Sequence, residues 1–413
     1  MAVSYLTISV FVVLCAYLAS RFKRRHTADG IGYIQEHRAI ANFGILGRSN
    51  VRGRLRARAI PNERLIIAFG IDSSFTTEDP TVHYEFLRRA NINISKMEPE
   101  HCAEFFNAAK LALDRTVAHL GPSAQHALPL ARVVRSVVFI TTLHKFFNVN
   151  PLSVDIETAI QATEVINRLW VQSKLPEQAG EDADRRLLQH ALERLLPEWF
   201  PCKPRDHPLN IIIPAYETMW RVVLLTFVVA GFRSQDNTEP WQFRDVVQTL
   251  PRCLGGEDKF SERVALDFAR EGLRLYPPTR RIYRAVPRPR GHVEIKYAEV
   301  EKCHRDKNIW GPDVLQFRPS RWHAVSADMR SAYMPFGDGR HICPTASRFG
   351  YRAIILFVAA LARRLGTRES GVSVDFGKQN AELQSHLDAP LPYGRQETED
   401  WLLMTEHGSG SKK

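Results

Sequence analysis

The sequence predicts a mainly α-helical protein with small β-sheets, and three observations carry that expectation. Apolar residues recur at helical spacing in six long blocks, strand-like stretches are few and short, and no repeat or low-complexity tract interrupts the 413 residues. With 44% hydrophobic and 24% charged residues the chain can bury a large core, which excludes a disordered or fibrous class.

The first element is apolar. The stretch "VSYLTISVFVVLCAYLA" over 3–19 carries no charge, and "RFKRR" follows with Arg21, Lys23, Arg24 and Arg25. About seventeen residues is the lower limit for a membrane-spanning helix, and the endoplasmic reticulum bilayer is on the thin side. A cleavable signal peptide carries its positive charge before the apolar run, whereas here the charge comes after it. The expectation is an uncleaved single-pass anchor over 3–20, with the basic cluster holding the rest of the chain on the cytoplasmic side.

Cysteine usage agrees. Six cysteines are scattered without a CxxC pair or zinc-like spacing, a pattern that suits a reducing compartment. The net charge of +11 fits a nucleic-acid binder, an anionic membrane surface or an acidic protein partner, and does not choose among them.

Helices are expected in "HCAEFFNAAKLALDRTVAHL", "VDIETAIQATEVINRLWVQSKL", "ADRRLLQHALERLLPEWF", "NIIIPAYETMWRVVLLTFVVAG", "ERVALDFAREGLRLY" and "RFGYRAIILFVAALARRL". Strands are expected in "RIYRAV" and "GHVEIKY". Pro214 falls inside the fourth block, where its missing N–H predicts a kink. The tail "EHGSGSKK" over 406–413 is polar and is read as disordered.

Chemistry concentrates in "YMPFGDGRHICPTASRFGYR" over 333–352. Glycines there let the backbone pass close to a flat ligand, and Cys343 stands just before a strongly apolar helix. A helix N-terminus favours a thiolate, and a soft, charged thiolate suits haem iron.

That stretch resembles the haem-binding loop of the cytochrome P450 family: Phe336, Gly339, His341 and Cys343 match its pattern, while Thr345 stands where the family has Gly. Upstream, "REGLRLYPPTRRIYRAV" resembles the family's ExxR motif, with Glu271 and Arg274 one helical turn apart and so able to pair. The segment "HRDKNIWGPDVLQFRPSRW" is similar to the family's meander, and Arg321 matches the arginine that completes a buried triad with Glu271 and Arg274. Over the iron the family carries an acid and an alcohol that relay protons, which the resemblance places at Glu217 and Thr218, with Ala215 in place of Gly and Pro214 in place of the small residue. Arg284, His341, His83 and Arg88 fall where the family contacts the haem propionates.

The resemblance covers the chain from about residue 85 onward and implies a cytochrome P450 fold over 26–405, with a shortened N-terminal lobe and the haem between the oxygen-groove helix and the cysteine-ligand helix. Its implied cofactor is haem b, with Cys343 as axial ligand. It further implies a monooxygenase that inserts an oxygen atom from O2 into a C–H bond of a small hydrophobic substrate. Electrons would come from a membrane-bound NADPH-cytochrome P450 reductase, so that NADPH and flavin act only through that partner. The anchored style resembles fungal microsomal members of secondary metabolism, in the endoplasmic reticulum membrane, with the lipid bilayer as a partner and no nucleic acid. Two rivals stand beside this expectation: a haem-thiolate protein that rearranges or dehydrates its substrate without O2, and a non-enzymatic, membrane-anchored binding protein.

Overall fold

The computed structural model describes residues 31–405 apart from 96–98, 122–126, 176–181, 234–242, 254–258, 348, 388 and 393. The expected anchor over 3–20 and the tail over 406–413 lie outside the described residues. Helices α1 (31–41), α2 (Val51–Phe69), α3 (Pro80–Ser95) and α4 (Pro99–Leu120) lead to strand β1 (Ala127–Pro129). Next come α5 (Leu130–Phe147), α6 (Ile156–Gln172), α7 (Asp182–Leu195), α8 (Leu209–Tyr216), α9 (Met219–Val228), α10 (Phe243–Cys253) and α11 (Lys259–Leu275). The hairpin β2 (Arg281–Pro287) and β3 (Val293–Glu299) precedes the short helices α12 (Val300–His304), α13 (Lys307–Trp310) and α14 (Ala327–Ala332). Helix α15 (Phe349–Leu365) and strands β4 (Val372–Asp375) and β5 (Leu402–Thr405) end the described chain.

The apolar blocks of the sequence become α4, α6, α7, α11 and α15, with α7 closed by Pro197 just beyond its end. Asp155 caps α6 by accepting from the Thr158 N–H. The block at 210–231 is split into α8 and α9. Pro214 brings no N–H to the carbonyl one turn back, and the Thr218 hydroxyl turns to the Pro214 carbonyl at 3.1 Å. The helical run Pro204–Arg233 is long and apolar enough to cross a bilayer, and 67% of its apolar window is buried inside the protein, as in a core helix.

Among the described residues two apolar cores result. The larger gathers α4, α5, α9, α11 and α15, and α5 is buried on nearly every face, taking Arg135, Ser136, Thr141 and Thr142 inside with its apolar residues. Helices α9 and α11 approach so closely that a Cβ on Gly272 would lie 2.1 Å from the Thr226 hydroxyl. The smaller core packs Ile34 and Ile40 of α1 against Ile282, Ala298, Trp310, Trp322 and Met334. It thereby joins the β2–β3 hairpin to the segment that carries Cys343.

Both sheets are small and antiparallel. One runs in the order β1, β5, β4; the other is β2 with β3, in a register that sets Arg284 opposite Lys296.

Candidate functional site

Backbone geometry places Cys343. Gly337 and Gly339 adopt φ of +80° and +71°, the left-handed region, and the Cys343 N–H donates to the Phe336 carbonyl at 2.9 Å, closing the loop. At Gly339 a Cβ would also meet the Asn42 Cβ at 2.7 Å, so a side chain there is excluded twice over. Helix α1 clamps the loop from outside: Arg38 donates to both Asp338 oxygens at 3.0 and 3.1 Å and to the Ser331 hydroxyl at 3.0 Å. The Cys343 sulfur lies 3.1 Å from the hydroxyl of Thr345, the residue that replaces the family's Gly. Burial pushes the Cys343 thiol up, against a smaller downward pull from Thr345. An adjacent cation such as a metal ion would reverse that balance in favour of the thiolate.

Cys343, Pro344 and Thr345 line a cavity of about 600 Å³. Its walls include Phe75, Val82, Phe86, Phe146 and Trp199, and α8 contributes Asn210, Ile211, Pro214 and Ala215. The expected proton-relay pair, Glu217 and Thr218, follows α8 directly. Glu217 is buried behind this wall and forms an ion pair with Arg395, and neither Glu217 nor Thr218 is among the residues lining the cavity. The Thr218 hydroxyl donates to the Pro214 carbonyl at 3.1 Å.

A cluster of basic side chains lies beside the loop. His83 and His341 stack with ring centroids 4.9 Å apart. Arg58 of α2 donates to the Ser74 hydroxyl at 3.0 Å and lies 3.3 Å from His83 Nδ1, while Arg54 reaches His341 Nε2 at 3.3 Å. Arg284 of β2 sits over the Phe43 ring at 4.0 Å and donates to the Ala41 carbonyl at 2.9 Å. Among the described residues no carboxylate pairs with Arg58 or Arg284, and Arg58 Nε, Arg284 Nε and His341 Nδ1 are buried without a partner. Burial lowers Arg58 to about 10 and Arg284 to about 9, and it lowers His83 to about 4 and His341 to about 3, with the Arg58 charge adding to the last three.

Such a cradle fits a ligand bearing carboxylates, and with a sulfur beside it the donor set fits haem, whose two propionates would take Arg58, Arg284, His83 and His341. Arg54 and Arg58 carry no motif, so sequence reasoning missed them. Arg88 is a correction: it lies on the outer face of α3, 61% exposed at its side chain, and pairs with Glu85 at 2.9 Å.

A third group of charges is closed on itself. Arg274 donates to both Glu271 oxygens at 2.7 and 2.9 Å, and to the carbonyls of His304, Val314 and Gln316. Arg321 lies 3.4 Å from Glu271 and 3.0 Å from Asp313, and Trp322 donates to Glu271 at 3.0 Å. Glu271 and Arg274 have no exposed surface. The neighbouring His304 ring spans from the Arg274 carbonyl, 3.2 Å away, to the N–H of Met334, which it accepts at 2.9 Å. That ring ties α11 to the Cys343 segment.

The family model described as Cytochrome P450 matches residues 267–365. Among curated relatives, a bifunctional cytochrome P450/NADPH–P450 reductase of Bacillus subtilis is 29% identical over 146 residues, which are 30% of this chain and 14% of that protein. Cytochrome P450 52E2 of Candida apicola is 28% identical over 204 residues, 41% of this chain and 36% of the relative. The matched regions thus span little more than a third of these relatives' length at most. Among solved structures, a cytochrome P450 of Thermus thermophilus superposes with a TM-score of 0.52 at 18% identity, covering 76% of this chain and 79% of that one. A cytochrome P450 in complex with arachidonic acid superposes with a TM-score of 0.52 at 12% identity, covering 83% and 81%. At such identities the likeness is one of fold.

Proposed function

We propose that the chain, whose residues 267–365 match the family model described as Cytochrome P450, is a haem-thiolate monooxygenase acting on a small hydrophobic molecule. The observation that carries this reading is the pairing of a glycine-shaped Cys343 loop with a buried cation cradle that lacks a counter-charge. Haem, when bound, supplies the oxidising chemistry. The chain's own residues hold it: Cys343 presents the sulfur, the cradle neutralises two carboxylates, and the Glu271 group fixes the segment between. Phe75, Phe86, Phe146, Trp199 and Ile211 keep water from the cavity and take an apolar substrate.

Finer features belong to the same proposal. Electrons come from an NADPH-cytochrome P450 reductase, and the +11 charge supports docking of an acidic partner. The apolar stretch over 3–19 followed by "RFKRR" supports a single-pass anchor in the endoplasmic reticulum membrane with the catalytic part on the cytoplasmic side. Fungal secondary metabolism is the pathway class that the anchored style supports.

The test is the absorption spectrum of the dithionite-reduced protein under carbon monoxide, wild type beside Cys343→Ala. A strongly red-shifted Soret band in the wild type and its loss in the variant are expected; a wild type that takes up no haem would sink the reading. One observation favours a second reading, rearrangement or dehydration without O2: Glu217 is held by Arg395 and does not line the cavity. Turnover that persists without O2 and NADPH would select it.

A further inference from the structure

A metal-bound cysteine is a thiolate, which accepts hydrogen bonds and donates none. That fixes the sense of the contact between the Cys343 sulfur and the Thr345 hydroxyl, 3.1 Å apart: once the thiol proton is gone, the hydroxyl is the donor. Among the described residues the sulfur is also that hydroxyl's hydrogen-bond partner, so no carbonyl competes for its proton.

Other donors of the segment are committed elsewhere. The Ile342 N–H goes to the Gly339 carbonyl at 3.2 Å, the Cys343 N–H to the Phe336 carbonyl at 2.9 Å and the Ala346 N–H to the Cys343 carbonyl at 3.0 Å. Pro344 has no N–H to offer. What remains is Thr345, whose backbone N–H reaches the sulfur beside its hydroxyl. Close packing sets its place: a Cβ on Gly350 of α15 would lie 3.1 Å from the Thr345 carbonyl and 2.8 Å from the Phe336 ring. A glycine at this position would keep the N–H and lose the hydroxyl, so the second hydrogen bond belongs to the threonine side chain.

We propose that Thr345 raises the reduction potential of the haem iron, by a hydrogen bond from its hydroxyl to the Cys343 thiolate. The inference rests on the monooxygenase reading for the iron, and on the Thr345–Cys343 geometry for its chemistry. A hydrogen bond to a ligating sulfur draws charge away from the metal. The step concerned is uptake of one electron by ferric iron, from a reductase flavin, to give ferrous iron; no bond forms or breaks and no proton moves. Ferrous iron leaves more negative charge on the sulfur, so the hydrogen bond is stronger in the reduced state and favours reduction. Thr345 thus acts through Cys343, as a positioning residue that does not itself touch the substrate.

The experiment is spectroelectrochemical titration of the holoprotein, wild type beside Thr345→Val, Thr345→Gly and Thr345→Ser, with the reduced carbon monoxide spectrum of each sample. Valine and glycine remove the hydroxyl and keep the N–H, whereas serine keeps both. Reduction should become about tenfold less favourable in Thr345→Val and Thr345→Gly, a downward shift of about 59 mV for one electron, while Thr345→Ser stays with the wild type. The C–O stretching frequency of the reduced complex should fall in the same two variants, because a thiolate without that hydrogen bond pushes more charge onto the iron. An unchanged potential in the two hydroxyl-free variants, or an equal shift in Thr345→Ser, would overturn the inference. Valine and glycine differ in shape, so if one variant misfolds the other decides. The red-shifted Soret band tells the two failures apart. Thiolate-ligated protein whose potential ignores the hydroxyl defeats this inference alone, whereas a wild type that takes up no haem defeats the monooxygenase reading and this inference with it.

Discussion

Two buried groups of charge flank the Cys343 loop and are built in opposite ways. Around Glu271 every charge finds a partner: Arg274, Arg321, Asp313 and the Trp322 N–H close the group without outside help. Around His341 the cations Arg58 and Arg284 have carbonyls, a hydroxyl and an aromatic face, and no carboxylate among the described residues. Burying charge is costly unless it is paired, so the first arrangement is complete as it stands and the second becomes complete on binding an anion. The difference separates a group that supports the site from one that holds a ligand.

The largest effect should come from breaking the closed group. Glu271→Gln leaves Arg274 and Arg321 facing each other without their shared counter-charge, and a loss of about 3–5 kcal/mol is expected in chemical denaturation. Haem should be lost together with the fold.

The next effect is a pH dependence centred on His304. Burial first, and the Arg274 charge second, hold His304 at about 3 against an ordinary 6.5. Unfolded chain takes up a proton below 6.5 that the folded chain refuses, so this contribution is fully present above 6.5 and falls as the pH drops toward 3. At pH 4 the loss should reach roughly 3 kcal/mol. Denaturation midpoints measured from pH 7 to pH 4 check it, and a curve for His304→Leu with the same slope would contradict the assignment.

Opposite in sign is the change at the open group. Arg58→Met removes a buried, uncompensated cation, so the haem-free protein should gain about 1 kcal/mol in stability while haem retention falls. Loss of both together would place Arg58 with the closed group instead. Smallest of all is Arg88→Ala, where an exposed pair with Glu85 is removed; melting temperature and haem retention should both stay where they are.

How much of this was legible follows from where the information sits. The Cys343 loop and the Glu271 pair are local patterns, fixed by left-handed glycines and by one turn of helix, so a stretch of sequence contains them. His83 and Arg88 fail as a pair for an equally local reason. Five residues turn a helix by about 140°, so one side chain faces in while the other faces solvent. Glu217 was not decidable locally, because its partner Arg395 arrives from a loop near the end of the chain. Arg58 escaped notice in an arginine-rich helix with hardly any apolar stripe, where nothing marks which arginine turns inward. Period alone marked the blocks that become α4, α6, α7, α11 and α15, and Pro214 announced the break between α8 and α9, whereas α1, α2, α3, α5 and α10 were not among the expected helices: α5 is buried on nearly every face and α2 has hardly any apolar stripe.

The clamp between α1 and the cysteine loop has a practical consequence for anyone making this protein. Arg38 and Asn42 both reach Asp338, and Gly339 packs against the Asn42 backbone, so the first described helix is a strap across the ligand-bearing segment. Trimming the N-terminus to improve solubility should therefore stop short of residue 31. A truncation that removes α1 would leave the cysteine in place and unbuckle what holds it.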